Sequence, residues 1–351
     1  MQKICFSNLK LMEKPSVLMI YTGGTIGMIN DPKTGVLKAF DFNHLSNQIP
    51  ELDRLNVDLK AISFEQPVDS SEMNPEKWAE IAEIVFDNYD QFDGFVILHG
   101  SDTMAYTASA LSFMLQGLSK PVILTGSQLP IGTIRTDGKE NLITSIEIAA
   151  AKDENGAPKI QEVAIYFEYS LYRGNRTSKI SATEFEAFSS PNFPELAVAG
   201  VSIRYHHEPL KNDQKLSLFT AFDNRVALLK IFPGFSAEVY KSLFDFQLVK
   251  GIIIETFGAG NSPSDARFTE LIKTYLEQGG IVLNITQCST GSVEQGRYET
   301  SSFFQKAGVI GGFDLTTEAA VTKMMYALGK GQNAAEIRQI LSQDLNGEMT
   351  C

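Results

Sequence analysis

Two apolar runs, each followed directly by a glycine-rich loop with hydroxyl side chains, constrain the fold of this chain most. The runs cover residues 17–20 and 95–98, and both have the pattern of buried parallel strands. Thr25 lies in the first loop and Ser101 in the second. Because open parallel sheets form their ligand crevice at the carboxyl ends of strands, we expect both hydroxyls at that edge. Neither loop has the pattern of a phosphate-binding loop.

Apolar strand segments and amphipathic helical segments alternate along most of the chain. Asn74 and Pro75 have the residue types of a helix N-cap and a first helical position, and helical spacing continues to residue 89. This alternation predicts an α/β fold with right-handed parallel units and helices on both faces. The alternation of strand and helix segments becomes less regular after residue 190. There, segments 197–205 and 215–221 are expected to pair with each other as a hairpin.

A chain of 351 residues is long enough to form two domains. We expect a larger N-terminal domain with a doubly wound parallel sheet over residues 15–205. Residues 206–225 would connect it to a smaller, Rossmann-like α/β domain over residues 226–345. The catalytic residues would lie in the larger domain.

The composition argues against several classes of partner. The net charge of −12 disfavours nucleic acid and anionic membrane surfaces, and no apolar stretch approaches the ~20 residues needed to span a bilayer. Three widely spaced cysteines argue against a disulfide framework and fit a reducing compartment. Four scattered histidines predict no metal site. We therefore expect a cytoplasmic protein with no metal and no other cofactor.

Acidic, basic and hydroxyl side chains follow other strand segments. Asp102 neighbours Ser101, and Lys179 follows a third strand, so a carboxylate and a lysine could together activate a hydroxyl or a water molecule. The segment 69–71, Asp-Ser-Ser, could hold the charged end of a small substrate. Each feature also fits a structural role: residues 101–103 as a helix cap, Lys179 as a surface residue, and segment 69–71 as a solvated turn.

The ordered motifs of residues 15–345 resemble those of the bacterial L-asparaginase family, most closely its cytoplasmic type I enzymes. The matching segments are Thr22-Gly-Gly-Thr-Ile-Gly27, Asp69-Ser-Ser-Glu-Met73, Asp93-Gly-Phe-Val-Ile-Leu-His-Gly100, Ser101-Asp-Thr-Met104, Thr125-Gly-Ser-Gln128, Leu171-Tyr-Arg-Gly-Asn-Arg176 and Thr286-Gln-Cys288. The resemblance implies an amidohydrolase that converts L-asparagine into L-aspartate and ammonia.

The resemblance also implies roles for single residues. Thr25 would be the nucleophile that forms an acyl-enzyme ester, while Ser101, Lys179 and Asp102 would manage protons and the attacking water. Asp102 would also hold the α-ammonium group of the substrate. The α-carboxylate would bind Ser70 and Ser71, in a loop shaped by Asp69. Family members are dimers or tetramers in which a neighbouring subunit closes the site, so a homodimer or homotetramer is expected.

Two departures from the family pattern concern the chemistry at Thr25. Ser101 stands where the second motif usually has threonine, which keeps the hydroxyl but removes the methyl group that restricts its rotamer. Segment 33–37 lacks the tyrosine that many bacterial members carry on the loop after the nucleophile. That tyrosine would be the base that deprotonates Thr25. Tyr298, in a segment that reaches a partner's site in the family, is the candidate substitute for it.

A third departure concerns a second asparagine site that some type I enzymes use for cooperativity. The resemblance places that site near Thr286, Gln287 and Cys288, and Glu255 occupies the position of an arginine that contributes to it. Because a negative charge there would repel an α-carboxylate, we expect no cooperative response to asparagine.

Two alternative functions stay open from the sequence. One is a related amidohydrolase that acts on another amide, such as the amidase subunit of the archaeal tRNA-dependent Glu amidotransferase. The acidic charge argues against a tRNA partner. The other is a non-catalytic amino-acid sensor. The presence of Thr25, Asp102 and Lys179 argues against a sensor, because binding alone does not require a mobile nucleophile.

Overall fold

The alternating segments form two large sheets, each covered by helices on both faces, and the described residues also form three two-stranded pairs outside them. A computed structural model describes residues 14–27, 29–30, 37–38, 49–206, 210, 214–296 and 299–351, with only the backbone at 29–30, 37–38 and 299–302. The helices are α1 (Pro75–Asp87), α2 (Met104–Met114), α3 (Gly138–Ala150), α4 (Ala266–Glu277), α5 (Glu299–Ala307), α6 (Thr317–Lys330) and α7 (Ala334–Leu341). The strands are β1 (Ser16–Tyr21), β2 (Ile29–Asn30), β3 (Leu37–Lys38), β4 (Asp58–Ser63), β5 (Gly94–Leu98), β6 (Leu115–Gln116), β7 (Val122–Thr125), β8 (Val163–Phe167), β9 (Ser170–Arg173), β10 (Ser178–Lys179), β11 (Phe188–Ser189), β12 (Ala197–Val198), β13 (Arg204–Tyr205), β14 (Ser217–Leu218), β15 (Val226–Lys230), β16 (Gly251–Thr256), β17 (Ile281–Thr286) and β18 (Ile310–Gly311).

The larger sheet has the strand order β13-β12-β9-β8-β7-β5-β1-β4. Its five strands from β4 to β8 are parallel, and β9, β12 and β13 extend it in antiparallel fashion. Counted along the chain, the parallel strands lie in the order 2-1-3-4-5, so β1 leads to β4 on one side and β5 lies on the other. This reversal is the topological switch point of a doubly wound sheet.

Strand β1 shows why the larger sheet is buried on both faces. Successive side chains of a strand point to opposite faces, so Leu18 and Ile20 pack into one apolar core while Val17 and Met19 pack into the other. Helices α1 and α2 cover the first face, and α3 covers the second. The predicted doubly wound sheet is therefore confirmed.

The smaller sheet contains β15, β16, β17 and β18 in that order, and all its pairings are parallel. Two apolar cores lie on its opposite faces, one that includes Phe268 of α4 and one that includes Met324 of α6. This arrangement is the smaller α/β domain that the sequence predicts. The domain limits of 205 and 226 stay a prediction.

The segment 344–350 joins the two sheets through buried polar contacts. The Gly347 carbonyl accepts hydrogen bonds from Arg173, the last residue of β9, and from Arg176, which follows that strand. Glu348 forms a fully buried ion pair with Lys323 of α6, with 2.7 Å between Oε1 and Nζ. Buried charges of this kind are costly unless they are paired, so loss of either Lys323 or Glu348 would destabilise this segment.

One local expectation from the sequence is wrong. Segments 197–205 and 215–221 do not form a hairpin with each other, because β12 pairs with β9 and β13 whereas β14 pairs with β6. Strand β12 pairs with the edge of β9 that β8 leaves free, and β14 pairs with β6, which directly follows α2. Helix α2 ends at Met114, where the chain enters β6. By contrast, the helix predicted over residues 75–89 is confirmed as α1, with Asn74 as its N-cap.

Candidate active site

The loops after β1 and β5 meet at the switch point of the larger sheet. The Thr22 amide and hydroxyl both donate to the Leu98 carbonyl, at 3.1 and 3.0 Å. Gly24 has a φ of +86°, and a Cβ atom at this position would lie 2.6 Å from the Gly100 Cα. Only glycine adopts that conformation without strain and lets the two backbones approach so closely. The half-buried Thr25, which follows Gly24, thus lies in a loop that is held against the Ser101 loop.

Lys179 of β10 joins the second loop through its ammonium group. Its Nζ donates to Ser101 Oγ at 2.9 Å and to Asp102 Oδ1 at 2.6 Å. The lysine side chain is 14% exposed, whereas the Asp102 side chain is 68% exposed. The structure therefore brings together Ser101, Asp102 and Lys179, with a half-buried cation and a carboxylate that is open to a ligand.

Gln128 belongs to this cluster, although the sequence pattern alone assigned it no role. Ser101 Oγ donates to Gln128 Oε1 at 3.2 Å, and the side-chain nitrogen Nε2 of Gln128 donates to the Glu184 carbonyl. Ser101 therefore accepts from Lys179 and donates to Gln128. The motif Thr125-Gly-Ser-Gln128 at the end of β7 was the available signal, because β7 is the neighbour of β5 in the sheet.

The segment 69–71 also reaches this edge of the sheet. Asp69 Oδ1 accepts hydrogen bonds from the Ser71 amide and hydroxyl, which hold the pKa of the Asp69 carboxyl below its usual range. The Ser70 carbonyl accepts from Thr103 Oγ1 at 2.6 Å. A Cβ atom on Gly100 would lie 2.5 Å from Ser70 Oγ. Asp69 thus shapes the turn, and buried Ser70 lies against the loop of Ser101.

The second cluster predicted from the sequence forms at the carboxyl ends of β16 and β17. The Glu255 carboxylate accepts from Thr317 Oγ1 at 2.6 Å and pairs with Lys230 at 3.2 Å. The side-chain amide of Gln287 donates to the Glu255 carbonyl, and the Cys288 amide donates to Thr286 Oγ1. The four predicted residues are therefore neighbours in the smaller domain.

Some predicted features cannot be placed. Tyr298 lies outside the described residues, as does most of the tyrosine-free segment 33–37. Within the part of the chain that the structure describes, no three histidine, cysteine, aspartate or glutamate side chains cluster as a metal site would require. None of the helices in that part is both long enough and apolar enough to cross a bilayer.

Comparison with protein families finds two matches along the chain. The family model described as "Asparaginase, N-terminal" matches residues 16–211. The model described as "Glutaminase/Asparaginase C-terminal domain" matches residues 225–341. Together they include every described residue of the two clusters above.

Individual proteins match over nearly the whole chain. L-asparaginase 1 of Escherichia coli (strain K12) is 42% identical over 345 residues, which are 97% of this chain and 99% of that protein. The 60 kDa lysophospholipase of Mus musculus is 38% identical over 95% of this chain and 62% of its own length. The crystal structure of L-asparaginase I from Vibrio cholerae superposes with a TM-score of 0.87 at 38% identity, covering 96% of this chain and 100% of that one.

Because the loops after β1 and β5 approach closely, we expect alanine to lower the unfolding free energy by different amounts at two glycines with similar φ. Gly156 has a φ of +83°, and a Cβ atom added there would meet no other atom within 4 Å, so Gly156→Ala should cost about 1 to 2 kcal/mol of unfolding free energy. Gly24→Ala should cost roughly 1 to 3 kcal/mol more, because its Cβ atom overlaps the Gly100 backbone. Urea unfolding of both variants measures the difference. Equal losses would show that the loops can separate without cost.

Proposed function

The chain belongs to the asparaginase family, and on that premise we propose that it hydrolyses the side-chain amide of L-asparagine to L-aspartate and ammonia. The observation that carries this proposal is the contact of one lysine, Lys179, with both Ser101 and Asp102. The contact lies at the switch point beside the Thr25 loop. A hydroxyl, a lysine and a carboxylate so arranged suit acyl transfer with a covalent intermediate.

The first half of the proposed reaction forms the acyl-enzyme. Thr25 Oγ attacks the side-chain carbonyl carbon of asparagine, the C–N bond breaks, and the fragment leaves as ammonia. Thr25 loses one proton and the leaving nitrogen gains one, so the net charge of the protein is the same before and after this step. Lys179 would pass a proton through Ser101, and the 2.9 Å distance between Nζ and Oγ supports this role.

The second half hydrolyses the ester. A water molecule attacks the acyl carbon, one of its protons returns to Thr25 Oγ, and L-aspartate leaves. Ser101 and Lys179 would take up and return the proton of this water. Asp102 would keep the lysine oriented through their 2.6 Å contact.

Substrate selection would depend on both charged ends of the amino acid. The exposed carboxylate of Asp102 would bind the α-ammonium group, while Ser70 and Ser71 would bind the α-carboxylate. Asp69 accepts two hydrogen bonds from Ser71 and would hold the shape of that turn. A short amide side chain would then reach Thr25.

The remaining features implied by the family are part of the same proposal. We infer a homodimer or homotetramer that works in the cytoplasm, in which the C-terminal domain of a neighbouring subunit closes each site. Tyr298 from that neighbour would serve as the base for Thr25. No metal or other cofactor takes part in these steps.

Replacement of the proposed nucleophile is the direct test. Thr25→Ala should reduce ammonia release from asparagine to less than about 1% of wild type, because loss of the attacking group normally costs several orders of magnitude. Thr25→Ser keeps a hydroxyl and should retain measurable turnover. Turnover by Thr25→Ala above that limit, with the fold intact by circular dichroism, would mean that another group attacks the amide. A wild-type protein that releases no ammonia from asparagine would favour the alternative function, a non-catalytic amino-acid sensor.

A double-mutant cycle tests whether Lys179 and Asp102 act as one unit. We expect Lys179→Met and Asp102→Ala each to lower kcat by about 100-fold or more, and the double variant to be little worse than either. The control is the half-exposed pair Lys77 and Glu80, 2.9 Å apart, whose removal should leave kcat unchanged. Multiplicative losses at Lys179 and Asp102 would contradict a shared role.

The charge of Glu255 predicts a simple dependence of rate on substrate. Its carboxylate is only 9% exposed and is already engaged by Thr317 and Lys230, so a second carboxylate beside it would be repelled. Initial velocity against asparagine concentration, at fixed ionic strength, should therefore follow a hyperbola. A sigmoidal curve, or asparagine bound beside Cys288 in a crystal, would show that another residue supplies the positive charge.

A further inference from the structure

A chain of buried hydrogen bonds runs from Trp78 on α1 to the loop that carries Ser101. The indole Nε1 of Trp78 lies 3.0 Å from Thr107 Oγ1, which lies 2.9 Å from His99 Nε2. At the other side of the imidazole ring, Nδ1 lies 2.6 Å from the Gly100 carbonyl oxygen. Trp78, Thr107 and His99 are called the Trp–His chain below.

The chemistry of the end groups fixes the direction of every bond in the Trp–His chain. A carbonyl oxygen only accepts, so His99 Nδ1 carries a proton and donates it to Gly100. An indole nitrogen only donates, so Thr107 Oγ1 accepts from Trp78. In a neutral ring Nε2 is then bare and accepts the remaining proton, that of the Thr107 hydroxyl.

Burial keeps the His99 ring neutral. His99 and Thr107 have no exposed surface, and Trp78 is 5% exposed. Burial lowers the pKa of His99 to about 4, although the hydrogen bond to the Gly100 carbonyl acts in the opposite direction. The assignment of donors and acceptors thus holds throughout the neutral pH range.

The end point of the Trp–His chain is the peptide group directly before Ser101 and Asp102. Because a trans peptide is planar, fixing the Gly100 carbonyl also fixes the Ser101 N–H, which points the opposite way. The same Gly100 backbone lies against Gly24 and the Ser70 side chain. A rotation of this peptide would therefore displace the polar side chains of three loops.

We propose that Trp78, Thr107 and His99 are positioning residues, which orient Ser101 and Asp102 from inside the core through a single buried hydrogen-bond chain. This inference rests on the proposed function, because its effect is read as turnover of asparagine. None of the three side chains needs to touch substrate. They act through the Gly100–Ser101 peptide, and their loss would misplace the groups that bind and react.

Thr107 is the place to break the chain with the least change of shape. Thr107→Val keeps the volume but removes both the donor to His99 and the acceptor for Trp78, and we expect kcat to fall roughly 10- to 100-fold. Thr107→Ser restores the hydroxyl and should remain within about threefold of wild type. The matched control is Thr144→Val on α3, where a buried threonine donates to Glu140 and no change of kcat is expected.

Trp78 gives an independent readout because it is the one tryptophan in the sequence. The single indole N–H resonance should shift in Thr107→Val and return towards its wild-type position in Thr107→Ser. In the wild type, long-range proton–nitrogen spectra should show His99 neutral and protonated at Nδ1 from pH 5 to 9. The His99 signals are assigned by their absence in His99→Asn, and this measurement does not require that Thr107→Val folds.

Three results would overturn the proposal. The first is a folded Thr107→Val enzyme with wild-type kcat, the second is a Thr107→Ser enzyme as slow as Thr107→Val, and the third is a His99 ring protonated at Nε2. A purely structural role predicts the first result together with a lower unfolding temperature. Wild-type turnover of asparagine tests the proposed function separately, since the state of the His99 ring is measured without substrate.

Discussion

The close contact between the loops after β1 and β5 is the constraint on which the rest of the site depends. The strand order reverses at β1, so these two loops face each other across the crevice, and Gly24 packs directly on Gly100. Hydrogen bonds from Thr22 to Leu98 hold the same two loops together, two residues before Gly24 and two residues before Gly100. With any side chain at Gly24, the loop of Thr25 would move away from the loop of Ser101.

The lysine of the site is held by contacts from both domains. Ser178, directly before Lys179, donates to the Glu318 carboxylate of α6 at 2.8 Å, and burial raises the pKa of that carboxyl group. Helix α2, which follows the Ser101 loop, packs against α6. The smaller domain therefore supports the position of Lys179 and Ser101 although it contributes neither residue.

Local patterns in the sequence predicted the elements better than their partners. The Asn74 cap and the apolar spacing after it define α1, because these effects act within a few residues. The segments around β12 and β14 are two-residue strands, and their sequences do not specify a partner. Their pairing with β9 and β6 depends on which backbone edges the folded domain leaves open. Gln128 and the Trp–His chain were missed for the same reason, since their contacts join strands and helices that are distant in sequence.

The sequence by itself determined the alternation of strands and helices, and it placed Thr25, Ser101 and Asp102 directly after buried strands. Hydrophobic periodicity and the freedom of glycine suffice for this, because both are properties of short segments. Only the tertiary structure decided that Lys179 contacts Ser101 and Asp102, and that Gln128 Oε1 accepts a hydrogen bond from the Ser101 hydroxyl. These contacts exist because strand order brings separate loops to one edge of the sheet, and strand order depends on the packing of the whole domain.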